Sequence, residues 1–193
     1  MPWEKRFDVD DTLLRAMQAF WARGYEATSV QDLVDATGVN RASLYATYGD
    51  KRALFLAAIK KYDAEVRRRL LDQLAETHAA PEAIRAVFDK FIDQTRSTDA
   101  NWGCFITNTA LELAAHDPEI AQLVNRAEAE IEAFFRAMII KGQANGDFDR
   151  EGDVTMLARQ ILASLLGLLV LIRSRPERQY LNAVRDGALM ILA

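Results

Sequence analysis

Apolar residues recur at helical spacing along almost the whole chain, and the period-two alternation typical of half-buried strands does not stand out anywhere. The first clear case follows an i, i+4, i+7, i+8 pattern, which places four side chains on one helix face: Leu13, Met17, Phe20 and Trp21. Asp10 or Asp11 is expected to cap this helix, and Gly24 is expected to end it. The pattern therefore predicts an all-α fold.

The same reasoning divides the whole chain into about nine helices. Glycine, proline and the small polar capping residues mark their ends. Asp50 is expected to cap a long helix, and Pro81 to lie at the start of the next one. The other predicted helices cover residues 30–37, 40–46, 104–115, 118–144, 154–173 and 177–192.

The longest apolar run, Ile161 to Ile172, has 12 residues. A membrane-spanning helix needs about 20, so the run is interpreted as a helix buried by its own core and by a second subunit. The N-terminal residues lack the apolar segment of a signal peptide. Cys104 is the single cysteine, which excludes an internal disulfide and suits a reducing compartment. These features favour a cytoplasmic protein without membrane partners.

Charge adds little to this picture. The chain carries a net charge of −4. Residues 1–62 contain nine Lys and Arg against eight Asp and Glu, a net of +1, so the remainder carries −5. The N-terminal part is the less acidic one, but this difference alone does not establish a nucleic-acid partner.

Two short helices joined by a glycine turn lie within SVQDLVDATGVNRASLYATYGDKRALF, residues 29–55. A helix-turn-helix unit of this kind places its second helix in the major groove of DNA. Val39 and Leu44 give that helix an apolar back, and its front carries residue types that bond base edges and phosphates: Arg41, Ser43, Tyr45 and Thr47. Lys51 adds a positive charge at the next helix N-terminus, where a phosphate is favoured. The alternative is an ordinary helical corner with solvated polar side chains.

The stretch LLRAMQAFWARGYEATSVQDLVDATGVNRASLYATYGDKRALF resembles the TetR family of transcriptional repressors. The family pattern is matched over about 43 residues at Gly24, Thr28, Gly38, Val39, Leu44, Tyr45, Lys51, Leu54 and Phe55. The remaining residues match only in the number and order of helices. The resemblance implies an all-helical homodimeric repressor that leaves a palindromic operator DNA when a small apolar or amphipathic effector binds its C-terminal domain.

The resemblance also implies which residues contact DNA. Ser29 and Gln31 correspond to contacts with the backbone and a flanking base, and Tyr45 and Lys51 to phosphate contacts. The complete predicted set is Ser29, Gln31, Arg41, Ala42, Ser43, Tyr45, Thr47 and Lys51. The chain departs from the pattern at Thr47, where many members carry an aromatic residue or His. Its N-terminal arm is also short, with two basic residues, Lys5 and Arg6.

A DNA-binding domain over residues 1–50 and an effector-binding and dimerisation domain over residues 51–193 are therefore predicted. The last two helices are the expected dimer interface, because small residues at Gly167 and Gly187 allow close approach and the resemblance implies a four-helix bundle. The predicted interface residues are Leu165, Leu168, Leu169, Ile172, Tyr180, Val184, Ala188 and Ile191. The alternative is that these stripes belong to the core of a single chain.

An apolar effector pocket is expected among aromatic residues of the C-terminal domain, with a polar anchor. Its predicted lining is Phe88, Phe91, Trp102, Phe105, Asn108, Phe134 and Met138, although aromatic residues at helical spacing also form plain core. Cys104 lies at a predicted helix start, where a thiol can become reactive. A redox or electrophile sensor acting through Cys104 is therefore an alternative trigger.

Catalytic chemistry has little support in the sequence. The two histidines, His78 and His116, and the single cysteine are scattered. Neither a metal-ligand spacing nor a nucleophile elbow nor a phosphate-binding glycine loop is found. The chain is therefore predicted to be a regulator that needs no cofactor or metal and is not an enzyme. A helical adaptor that does not bind DNA is the remaining alternative.

Overall fold

A computed structural model describes residues 7–96 and 102–192 of the chain, and these residues are helical with no strand among them. The helices are α1 (Val9–Arg23), α2 (Val30–Thr37), α3 (Arg41–Tyr48), α4 (Lys51–Tyr62), a π-helical segment (Asp63–Arg68), α5 (Arg69–Thr77), α6 (Ala80–Gln94), α7 (Phe105–Leu113), α8 (Pro118–Asn145), α9 (Val154–Ser174), α10 (Arg178–Leu189) and a short 3₁₀ turn (Met190–Leu192). The segments from Lys51 to Thr77 follow one another without a break. Nine helical runs therefore occur in the described ranges, and the predicted all-α fold is confirmed.

The helix ends fall close to the predicted ones because local capping sets them. Ser29, Asn40 and Asp50 cap α2, α3 and α4 with their side chains, and the cap at Asp50 was predicted. The cap of α1 was expected at Asp10 or Asp11, which was wrong. Asp8 accepts hydrogen bonds from both of those backbone N–H groups and lies one residue before Val9. The N-terminal arm residues Lys5 and Arg6 lie outside the described residues.

The chain divides into two compact units, one up to Val66 and one from Arg67 onward. In the first unit, α1 packs against α2 and α4, and α3 packs against both α2 and α4. Its core side chains are at most 1 % exposed: Phe20, Leu33, Leu44, Leu54 and Phe55. The functional boundary after residue 50 remains a prediction, because compactness does not assign a role to either unit.

Helix α8 is the centre of the second unit and packs against α5, α6, α7 and α9, and α9 in turn packs against α10. Helix α9 is apolar and long enough to cross a membrane by length and composition, with a mean hydropathy of 2.0 in its most apolar window. Buried helices of soluble proteins share these features. The helix packs against α8 and α10, and its buried residues are Leu157, Ala158, Ile161, Leu165, Leu168, Leu169 and Ile172.

Candidate nucleic-acid interface

The turn between α2 and α3 is built by local chemistry. The Ser29 hydroxyl accepts a hydrogen bond from the Asp32 backbone N–H, and the Asp32 carboxylate accepts one from the Ser29 backbone N–H at 2.8 Å. This reciprocal box starts α2. Gly38 ends the helix at φ 70°, a left-handed conformation that glycine adopts without strain. Asn40 then accepts from the Ser43 N–H at 2.9 Å and starts α3.

The carboxylate of Asp32 is stabilised by this box. Its hydrogen bonds with Ser29 hold the pKa of the Asp32 carboxyl below its usual range, although partial burial acts in the opposite direction. Arg23, at the end of α1, also forms an ion pair with Asp32. The start of α2 is thus tied both to its own first turn and to α1.

Helix α3 has one buried and one open side. Leu44 is fully buried and Val39 nearly so, as the apolar back predicted from the sequence requires. Arg41 and Ala42 are exposed, and Ser43, Tyr45 and Thr47 are half-buried. The Arg41 guanidinium lies 5.2 Å from the centre of the Tyr45 ring, one helical turn away. The exposed side of α3 therefore presents an arginine beside a tyrosine ring.

The two predicted residues of α2 are exposed, but both make contacts within the helix. The Ser29 hydroxyl belongs to the capping box. The Gln31 side-chain amide donates to the Asp35 carboxylate at 2.7 Å. To contact DNA, the Gln31 side chain must therefore exchange its hydrogen bond with Asp35 for one with DNA.

Lys51, in the first turn of α4, rests on an aromatic cluster. Its ammonium lies 4.3 Å from the centre of the Tyr25 ring. Tyr25 also packs against Phe20 and Phe55, with ring centres 6.1 and 4.9 Å away. Burial, helped by the nearby charges of Glu26 and Asp50, raises the pKa of the Tyr25 hydroxyl. Sequence reasoning missed Tyr25, and its position directly after the helix-ending Gly24 was the available signal.

Tyr48 is a second residue that sequence reasoning missed. Its hydroxyl donates a hydrogen bond of 2.8 Å to the backbone carbonyl of Val9, the first residue of α1. Burial, together with the charges of Asp10 and Asp8, raises the pKa of the Tyr48 hydroxyl. This contact ties the end of α3 to the start of α1.

The residues predicted for the effector pocket lie in several segments of the second unit, and their role in binding an effector stays a prediction. Phe88, Phe91 and Phe105 are buried in the core of the second unit. The side-chain amide of Asn108 donates to the backbone carbonyl of Trp102 at 2.7 Å, so it shapes the chain before α7. Phe134 and Met138 do line a cavity, but its other walls come from different residues.

That cavity is a groove of about 460 Å³ between α5 and α8. At one end Glu130 accepts hydrogen bonds from Arg67 at 2.5 Å and from Arg68 at 2.9 and 3.0 Å. Burial raises the pKa of the Glu130 carboxyl, but the hydrogen bonds and charges of both arginines outweigh it, and the pKa is lowered. The groove is lined by Arg67, Arg68, Leu71, Asp72, Ala75, Glu130, Phe134, Ala137 and Met138.

Most residues predicted for the dimer interface are buried within the chain itself. At most 8 % of the surface of each of five residues is exposed: Leu165, Leu168, Leu169, Ile172 and Ala188. Val184 is half-buried, and Tyr180 and Ile191 are each 38 % exposed. The five buried residues have little exposed surface for a partner, so a dimer contact through α9 and α10 would use the exposed side of each helix. On α9 and α10 that side includes Met156, Ala163, Gly167, Val170, Ala183 and Gly187.

Cys104 is 4 % exposed and lies at the start of α7, where its side chain makes no capping hydrogen bond. Within residues 7–96 and 102–192, no three His, Cys, Asp or Glu side chains are grouped in a way that suits a metal ion.

Comparison with known proteins agrees with this architecture. Residues 13–58 match the family model described as bacterial regulatory proteins, tetR family, and residues 80–188 match that of the tetracyclin repressor-like C-terminal domain. The HTH-type transcriptional regulator YezE of Bacillus subtilis (strain 168), which is uncharacterized, is 34 % identical over 97 % of both chains. The HTH-type transcriptional repressor ComR of Escherichia coli (strain K12) is 32 % identical over 97 % of this chain and 90 % of its own.

Among solved structures, a cysteine mutant of the TetR family transcriptional regulator CifR matches with a TM-score of 0.82. It is 30 % identical, with 97 % of each chain covered, and it is complexed with 26-bp double-strand operator DNA. A regulator with this fold and this degree of identity therefore binds duplex DNA.

Proposed function

Because the chain belongs to the TetR family of DNA-binding transcriptional regulators, we propose that it is a cytoplasmic, homodimeric repressor that leaves its operator when a small effector binds. The family is one of regulators and not of enzymes. The observation that carries the proposal is the exposed side of α3, where Arg41 and Ala42 stand free of the core beside Tyr45. Similarity to CifR, whose structure contains operator DNA, supports it.

Each α3 reads one half-site in this proposal. Arg41 has the reach and the paired donors to recognise the major-groove edge of guanine. Six further residues set the register along the DNA backbone and the neighbouring bases: Ser29, Gln31, Ala42, Ser43, Tyr45 and Thr47. Lys51 neutralises a phosphate at the N-terminus of α4, where the backbone N–H groups and the helix dipole already favour an anion.

Two copies of the chain are needed to read a palindrome. The half-sites lie one helical turn apart, about 34 Å, so a dimer must hold two α3 helices at that spacing. The exposed sides of α9 and α10 support such a dimer. A Cβ atom added at Gly167 or Gly187 would meet no atom within 4 Å beyond the adjacent backbone of its own helix, so these positions are open to a close partner helix.

Release requires a second state of the dimer in which the α3 helices no longer match the grooves. An effector shifts the balance only by its different affinity for the two states. Operator DNA must then weaken effector binding by the same factor by which the effector weakens DNA binding. The helical run from Lys51 to Thr77 passes from the first unit into the second, so we infer that it couples effector binding to DNA binding.

A thiol trigger at Cys104 is the second candidate, since the CifR structure is that of a cysteine mutant. Reactive thiols sit in partly exposed, electropositive surroundings, whereas buried cysteines are usually inert. Cys104 is 4 % exposed. This burial favours reversible occupancy of a binding site over modification of the thiol.

A genomic footprint of the purified protein tests the DNA-binding proposal. We expect protection of a palindrome whose half-site centres are about 10 base pairs apart, or a multiple of that spacing. Fluorescence anisotropy on the recovered duplex should show saturable binding that weakens steeply with salt. A helical adaptor predicts no binding to any duplex even at about 50 mM salt, and that result would refute the repressor proposal.

A further inference from the structure

The guanidinium of Arg41 on α3 is held by an aromatic ring and not by a carboxylate. It lies 5.2 Å from the centre of the Tyr45 ring. Helix α3 contains no acidic residue, and Arg41 forms no ion pair in the part of the chain that the structure describes. Arg15 on α1, by contrast, pairs with the Asp11 carboxylate at 2.8 Å. Arg41 is therefore restrained in a different way from an arginine in an ion pair.

The kind of partner decides which hydrogen-bond donors of an arginine remain available. A carboxylate accepts hydrogen bonds from the guanidinium N–H groups and offsets their charge. The face of a ring attracts the cation electrostatically and leaves the N–H groups at the edge of the guanidinium plane free to donate. Arg41 thus keeps the planar fork of donors that matches the O6 and N7 acceptors of guanine.

The backbone of α3 places the Tyr45 ring next to Arg41. The two residues are four positions apart, so they are neighbours on one side of the helix. Helical side chains lean towards the helix N-terminus, which directs Tyr45 over the turn that carries Arg41. Leu44 is fully buried beside it, and the Tyr45 carbonyl accepts a hydrogen bond from the Gly49 N–H at 2.9 Å. The ring is therefore attached to a well-anchored part of the helix.

We propose that the Tyr45 ring determines specificity by positioning Arg41 for the base that it reads. A free arginine loses side-chain rotamer freedom when it binds a base, whereas an arginine already held against a ring has lost part of that freedom beforehand. The inference rests on the proposed function above, because it requires Arg41 to read a base.

Two simpler roles of Tyr45 predict different results. A ring that only packs on α3 affects the stability of the helix and has no effect on the choice of base. A hydroxyl that only contacts a phosphate contributes equally to binding of all sequences, because phosphates carry no sequence information. A positioning role is distinct from both, since it links Tyr45 to the one base pair that Arg41 reads.

Fluorescence anisotropy on two operator duplexes tests the proposal. The second duplex is altered at the base pair where Arg41→Ala loses its preference, and the ratio of the two Kd values measures discrimination. We expect Tyr45→Leu to lower this ratio about two- to fivefold, the equivalent of a cation–ring attraction at an exposed site. Tyr45→Phe keeps the ring, so it should retain the wild-type ratio while binding both duplexes more weakly for want of the hydroxyl.

A second comparison changes the charge of the ring face and leaves its shape nearly unchanged. Pentafluorophenylalanine in place of Tyr45 reverses the sign of the face, so it should lower the ratio, whereas Tyr45→Phe should not. In an Arg41→Ala background, neither this change nor Tyr45→Leu should alter the ratio, because the residue to be positioned is absent. Circular dichroism and thermal unfolding verify that each variant is folded.

Three results would overturn the inference. They are a wild-type ratio in the folded pentafluorophenylalanine protein, an equal loss of the ratio in Tyr45→Phe, and a loss that persists in the Arg41→Ala background. A uniform loss of affinity in Arg41→Ala would also do so, because Arg41 would then read no base. Wild-type protein that binds no DNA would contradict the proposed repressor function itself, whereas an Arg41-dependent preference that ignores the ring would overturn this inference alone.

Discussion

The ammonium of Lys51 lies over the face of the Tyr25 ring, 4.3 Å from its centre, although the two residues are far apart in the chain. Aromatic rings attract cations through their negative faces, by about 0.5–1 kcal/mol at exposed sites. Tyr25 is itself fixed by Phe55, whose ring centre is 4.9 Å away. The core of the first unit therefore holds in place the charge that we assign to a DNA phosphate.

Tyr25→Leu should weaken DNA binding a few-fold on all sequences, because Lys51 keeps its charge but loses its support. The dependence of affinity on salt should stay as in the wild type. Lys51→Ala should instead reduce the salt slope by about one charge per subunit. Anisotropy titrations at several salt concentrations separate the two effects.

Tyr25→Phe is the matched control, since it keeps the ring and should bind DNA like the wild type. Thermal unfolding of all three variants verifies that the first unit remains folded. Wild-type affinity in a folded Tyr25→Leu protein would show that the ring does not position Lys51.

Arg41→Ala should change which operator is preferred. A lost arginine–guanine pair removes about 1–3 kcal/mol of discrimination at one base pair in each half-site. Selection from a randomised DNA library should then show a relaxed preference at that position and unchanged preferences elsewhere. A uniform loss over all sequences, as expected for Lys51→Ala, would make Arg41 a backbone contact.

Sequence reasoning located the helix-turn-helix because that motif is set by near neighbours. Asn40 lies three residues from the N–H it caps, and Gly38 adopts the left-handed conformation that its own lack of a side chain permits. The N-terminus of α1 was misplaced because several aspartates compete for one cap, and the pattern alone does not rank them.

Contacts between distant segments were beyond the same reasoning. The pair Tyr25–Lys51 and the hydrogen bond from Tyr48 to Val9 form only after the helices pack. The effector site was predicted among aromatic residues that include Phe88 and Phe105, which are buried in the second unit, and this assignment stays a prediction. The groove has an arginine pair at its end, and its shape depends on how α5 meets α8. Hydrophobic periodicity gives no information on that arrangement.

Ser29→Ala should destabilise the first unit by about 0.5–2 kcal/mol, the usual effect of removing a helix cap. It should also change the pH dependence of stability. The pKa of Asp32 is lowered in the folded protein by its bonds with Ser29, so this contribution is present above its unfolded pKa, near 4, and is lost as the pH falls through the folded value.

Urea unfolding of wild type and Ser29→Ala between pH 3 and pH 7 measures this effect, with Ser43→Ala as a second serine removed from the same motif. The difference between wild type and Ser29→Ala should shrink towards pH 3. A difference that stays constant over the whole range would show that Asp32 is not stabilised by Ser29.

Gly167→Glu should break the proposed dimer and leave each chain folded. A Cβ atom there meets no atom within 4 Å beyond the adjacent backbone of its own helix, and glutamate is a better helix former than glycine. In a dimer seam, however, two unpaired carboxylates would be desolvated. Analytical ultracentrifugation should show a monomer with wild-type helicity by circular dichroism.

Leu168→Ala is the contrasting variant for this test. Leu168 is fully buried in its own chain, so its truncation should lower stability by about 2–5 kcal/mol without a specific effect on assembly. A Gly167→Glu protein that stays dimeric at low micromolar concentration would exclude this side of α9 from the interface.

The variant Cys104→Ser distinguishes the two proposed mechanisms of release from DNA. The Cys104 sulfur makes no capping bond at the start of α7, whereas serine is a preferred N-cap, so the variant should be as stable as the wild type or slightly more stable. If release follows reversible occupancy of a binding site, the variant should bind the operator normally and leave it at the same effector concentration. Anisotropy with labelled operator, titrated with effector and separately with an oxidant or an electrophile, measures both routes.

Under the thiol mechanism the variant would remain on DNA in the presence of a reagent that releases the wild type. The burial of Cys104 leads us to expect the first result, because a thiol that is 4 % exposed offers such a reagent little access.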